Sequence, residues 1–107
     1  MQERYPNLQK QFEFEFTCEA NNLQDVLDAI SQIEGVKVYR EQRPVVETVI
    51  TKEGIAGCIE GFSVEGRCAL AAEEKILDIL FKQELVNYET RVHFRDLATR
   101  RIVIKRG

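Results

Sequence analysis

From Gln11 to Glu19 apolar and polar residues alternate without a break. Phe12, Phe14, Phe16 and Cys18 fall on one side, and Glu13, Glu15, Thr17 and Glu19 on the other. A two-residue period is that of a β-strand, so the pattern predicts a strand with a buried aromatic face. Its acidic face is expected to meet solvent or a basic neighbour. The period then changes. Asn21 or Asn22 can cap a helix by accepting an orphan backbone N–H. Leu23, Val26, Leu27, Ile30 and Ile33 follow at steps of three and four and predict a helix with one apolar stripe, stopped by Gly35.

Val36 to Tyr39 reads as a short strand, broken by Glu41-Gln42-Arg43-Pro44. Val45 to Thr51 is β-branched and disfavours a helix. Lys52-Glu53-Gly54 predicts a turn, and Ile55 to Glu65 a further strand. Four of the six glycines lie between residues 54 and 66. Glycine inside a strand points to a bulge, a bend or a close backbone approach. The pattern predicts a second helix over Arg67 to Val86, with Leu70, Ile76, Leu77, Leu80 and Phe81 as its buried stripe. Alternation returns over Tyr88 to Phe94, Asp96 to Thr99 reads as a turn, and Arg101 to Lys105 closes the chain as a strand.

This order predicts an α+β fold: a mainly antiparallel sheet with two helices on one face. The nearest named arrangement is the ferredoxin-like β-α-β-β-α-β order with an extra strand or hairpin. A chain of 107 residues fits one domain, expected over residues 11–107 behind a flexible lead-in at 1–10. The start of the chain lacks the basic and apolar regions of a signal peptide, and no apolar run is long enough to span a membrane. No membrane association and a cytoplasmic location are therefore expected. Three cysteines at unrelated spacings, Cys18, Cys58 and Cys68, fit a reducing compartment better than a disulfide framework.

Charge adds one feature to this picture. The net charge is −3, yet residues 87–107 alone carry +4 and the remainder −7. Arg91, His93 and Arg95 alternate onto one face of their strand, and Arg101 and Lys105 onto one face of the next. If the two strands pair, a compact cationic patch is expected. Internal pairing with Glu13, Glu15 and Glu19 is the competing expectation, since opposite charges across strands stabilise by about 0.2–1 kcal/mol. The basic strands can equally protect a sheet edge.

Motifs that carry chemistry are sparse. With one histidine and no Cys-x-x-Cys, the sequence lacks a zinc ligand set, and no metal or other cofactor is expected. No phosphate loop or nucleophile elbow occurs. Gly54-Ile55-Ala56-Gly57 matches the Gly-x-x-Gly form of an RNA-binding clamp but has strand-like flanks and no cation. The Phe12/Phe14/Phe16 stripe, interleaved with Glu13 and Glu15, reads as core rather than as a base-stacking platform. His93 reads as a strand residue rather than as a base for a cysteine. Cys68, expected near the start of the second helix beside Arg67, is the thiol to which helix dipole and cation could give a lowered pKa.

A non-catalytic protein-interaction or regulatory module is thus expected, self-associating or binding an acidic protein partner. Its expected surface is Arg91, His93, Arg95, Arg101 and Lys105 with Glu13 and Glu15. Nucleic-acid binding through the basic C-terminal strands is the alternative, weakened by the negative net charge. A small cysteine-dependent enzyme, using Cys58 in the glycine-rich segment, is the second.

Overall fold

The nine residues Gln11–Glu19 form β1, and the aromatic side of the alternation is the buried one. A computed structural model describes residues 10–106 of the chain, and of Glu47, Val49, Cys58 and Ile59 the backbone alone. The expected lead-in at 1–10 therefore lies outside the described residues, Lys10 excepted. A 3₁₀ turn, Ala20–Asn22, carries β1 into helix α1, Leu23–Ser31, whose Val26 and Ile30 are buried. Asn22 occupies the N-cap position but makes no capping bond; its Nδ2 donates to the Leu85 carbonyl at 3.2 Å. Gly35, at φ +86°, turns the chain through the left-handed region into β2, Val36–Val38.

β3, Arg43–Thr51, and β4, Gly54–Ala69, form a long hairpin. β4 corrects the expected start of the second helix. Arg67, Cys68 and Ala69 belong to the strand, because Val64, Gly66 and Cys68 extend its buried alternation opposite Phe16, Phe14 and Phe12. After a second 3₁₀ turn, Leu70–Ala72, helix α2 runs only from Glu73 to Lys82. Ile76 and Leu80 are buried as expected, whereas Leu70 stands ahead of the helix and is exposed. β5 is Val92–Asp96, a few residues later than the alternation suggested, and Tyr88 is exposed in the preceding loop. β6 is Ile102–Lys105.

These elements make an α+β fold with two helices and a mainly antiparallel six-stranded sheet. Its order is β2-β4-β1-β5-β6, with β3 also beside β4. β1 lies centrally, paired to β4 from Gln11↔Ala69 to Glu19↔Gly61 and to β5 from Phe12↔Asp96 to Glu15↔His93. The core gathers Phe12, Phe14, Phe16 and Cys18 of β1 with Val64, Val92 and Phe94, and both helices add to the same cluster. Phe14 and Phe16 stack with ring centroids 6.2 Å apart. Gly66 makes this packing possible: a Cβ there would meet the Lys37 carbonyl oxygen and lie 2.6 Å from Cζ of Phe14. The expectation of a close backbone approach in the glycine-rich segment holds at this position.

The β3–β4 hairpin outruns the rest of the sheet. The last β4 residue paired to β1 is Gly61, so Gly54 to Glu60 have β3 as their strand partner and project by roughly 20 Å at ~3.3 Å per residue. The molecule accordingly measures 61 × 27 × 25 Å. Residues 45–60 are called the arm below. Val46, Ile50 and Ile55 share one of its faces, by alternation along β3 and by the Ile50↔Ile55 pairing, and are 65 %, 74 % and 73 % exposed.

Candidate functional site

The pairing registers decide which side chains share a surface, because partners across an antiparallel ladder point to the same face. Glu13 lies opposite Arg95 and Glu15 opposite His93. Glu13 and Arg95 form an ion pair, and Glu13 also accepts the Tyr39 hydroxyl at 2.9 Å. Arg67 Nε in turn donates to that hydroxyl oxygen at 3.2 Å. Glu15 accepts from Ser63 Oγ at 3.2 Å and from Arg43 at 3.4 Å, while Arg43 also reaches Glu65 at 3.1 Å. The acidic face of β1 and the arginine of β5 therefore neutralise one another within one chain, through a network that crosses the sheet face opposite the aromatic core.

The expected compact patch is divided by the β5–β6 register. His93 pairs with Ile104 and Arg95 with Ile102, so the open-face neighbours of these basic residues are aliphatic. Lys105 pairs with Val92 and points to the helix side, as does Arg101 by alternation. There Lys105 Nζ bonds the buried carboxylate of Glu73 at 3.1 Å, at the start of α2, and lies 5.9 Å from the Phe94 ring centroid. A one-residue offset between the strands sends the two basic sets to opposite faces. Arg91 is exposed ahead of β5. Arg91, Arg100, Arg101 and Arg106 have no ionic partner among the described residues.

Glu15, Arg91 and His93 do come together at an open groove of about 750 Å³ between the end of β1 and the segment leading into β5. Glu19, Glu89 and Cys18 are among its other lining residues. Among the described residues no group of three or more His, Cys, Asp or Glu is placed to hold a metal ion. Every described buried polar side-chain atom has a hydrogen-bond partner.

The thiols of Cys18 and Cys68 are tuned away from nucleophilicity. Burial, with Glu19 adding to it, pushes Cys18 up to about 11. Burial, with Glu73 adding to it, pushes Cys68 up to about 12. The dipole and cation expected to lower the pKa of Cys68 do not act on it, because it lies inside β4 rather than at a helix start. The side chain of Cys58 lies outside the described residues. Asp96 has a lowered pKa: backbone N–H groups of Ala98 and Thr99 donate to its carboxylate at 2.8 and 3.2 Å, and Lys10 adds to their effect. That carboxylate organises the β5–β6 turn, in which Arg100 has φ +67°.

The surface that sequence reasoning missed is apolar. β6 is the last strand of the sheet, paired on one side by β5. Its Ile102, Val103 and Ile104 are 57 %, 50 % and 53 % exposed on both faces. Three consecutive aliphatics, without alternation, were the available signal. Among the described residues no helix is long and apolar enough to cross a membrane. No protein-family model matches this chain, and no curated protein or solved structure does either.

Proposed function

We propose that this domain is a non-catalytic interaction module that associates with a second copy of itself. The observation that carries the reading is the distribution of apolar side chains. The core is complete, yet six large aliphatics remain exposed on two peripheral elements, the arm and β6. Isolated exposed aliphatics are ordinary; runs of them on an open strand edge are a template for pairing with another chain. The ferredoxin-like arrangement belongs to the same reading. β2-β4-β1-β5 is its order when β6 is taken as an added edge strand and the arm as an extension of the hairpin.

Support for a non-catalytic role comes from the side chains that chemistry would need. Cys18 and Cys68 are buried with raised pKa values, and Cys18 lies on the opposite sheet face from His93. A cytoplasmic setting suits these free thiols. Nucleic-acid binding is disfavoured by the division of Arg95 and Lys105 between two faces, each held by a carboxylate. Light scattering over a concentration series tests the proposal. It predicts a mass above 12.4 kDa that falls on dilution. A mass equal to one chain at every concentration overturns it, and a salt-sensitive shift of labelled oligonucleotides would then favour the nucleic-acid reading.

A further inference from the structure

The two exposed apolar elements differ in charge, and the difference says which meets which. β6 is bracketed by cations at both ends, Arg100 and Arg101 before it and Arg106 after it, none with an ionic partner among the described residues. By sequence the arm carries Glu47, Glu53 and Glu60 against Lys52. Glu53 at its tip and Glu60 at its base are exposed and have no ion pair among the described residues. Both elements thus have an aliphatic centre; the ends of β6 are cationic, while the arm is net acidic, with Glu60 at its base and Lys52 beside Glu53 at its tip.

The spans agree as well. Glu53 to Glu60 and Arg100 to Arg106 each cover roughly 20 Å at ~3.3 Å per residue. Pairing β6 with a second β6 would set arginines against arginines, and pairing arm with arm would bring two net-acidic elements together. Like charges directly opposite destabilise a ladder. We infer that the arm of one copy lies along the free edge of β6 in a second copy, as an added strand. The arm face that carries Val46, Ile50 and Ile55 then continues the β6 face that carries Ile102 and Ile104, and Glu60 lies toward a flanking arginine. This rests on the self-association proposed above. Two copies that exchange arms reciprocally close into a two-fold dimer, whereas head-to-tail exchange with successive copies extends further.

Complementation tests it on the full chain. One variant, Ile50→Ser with Ile55→Ser, spoils the arm and leaves the edge; the other, Ile102→Ser with Ile104→Ser, spoils the edge and leaves the arm. Each alone is expected to lose self-association by roughly tenfold or more in Kd, with an unchanged circular dichroism spectrum. Mixed in equal amounts they are expected to form a one-to-one complex, since the mixture holds one intact arm and one intact edge. Arg101→Glu with Arg106→Glu is a second edge variant that removes no apolar packing. It too is expected to weaken association alone and to be rescued by the arm variant's intact edge. If the edge variant alone associates like the unaltered chain, arms meet arms and the inference is wrong. If the arm variant alone does so, edges meet edges. If the unaltered chain associates and the mixture does not, the contact lies elsewhere. An unaltered chain that stays monomeric removes the parent proposal itself.

Discussion

Body and arm are built from the same strand, and they differ in what covers it. Along β4 the inner half, Gly61–Ala69, is flanked by β1 and beneath it lie both helices, so Val64 and Cys68 are wholly buried. The outer half, from Gly54 to Glu60, has one neighbour, β3, and its Ile55 stands in solvent. Composition does not separate the halves, since both mix aliphatics, glycine and glutamate. A two-stranded ribbon is at best marginally stable alone in water. The arm's order therefore depends on its continuity with the body, and its exposed face is free to contact another chain.

The largest expected effect breaks the body. Phe14 is fully buried between both β neighbours, and Phe14→Ala should cost about 3–5 kcal/mol. Chemical denaturation measures it; a loss below 1 kcal/mol would mean that the aromatic face is not the core. Gly66→Ala sharpens the comparison, because Gly66 lies in the same strand as the arm glycines but under the Phe14 ring. It should destabilise by about 1–3 kcal/mol through overpacking. Gly54, in contrast, has open space around its Cα and is limited by its φ of +116° alone.

The smallest effect concerns the β5–β6 turn. The folded pKa of Asp96 is depressed, so its ionised form stabilises the fold. That contribution is fully present above the unfolded aspartate pKa and is lost as pH falls through the folded value. Amides of Ala98 and Thr99 should exchange faster on acidification, and Asp96→Ala should remove that pH dependence. Exchange insensitive to pH after correction for intrinsic chemistry would show that the backbone alone holds the turn.

The elements whose apolar period is unbroken were legible in the sequence. β1 and α1 follow directly from the spacing of Phe12 to Cys18 and of Leu23 to Ile30. The start of α2 was not legible, because Arg67-Cys68-Ala69-Leu70 suits either a helix or a strand until Phe12 supplies the partner for Cys68. Both basic strand faces were visible, but not the offset that sends Lys105 to Glu73 and leaves His93 beside Ile104. Register is a property of two strands and their turn, and Asp96 with the left-handed Arg100 sets it here. For the same reason the exposure of Ile102–Ile104 was hidden: the residues read as an ordinary strand until the sheet ends beyond them.

Hydrogen exchange of the unaltered protein over a dilution series tests most directly whether the arm and β6 are made for a second copy. Amides of residues 45–60 and 102–105 should gain protection together as concentration rises. Those of β1, held between β4 and β5, should stay protected throughout. Protection of the arm and β6 that does not change with concentration would contradict the account, because their exposed aliphatics would then have no partner chain to meet.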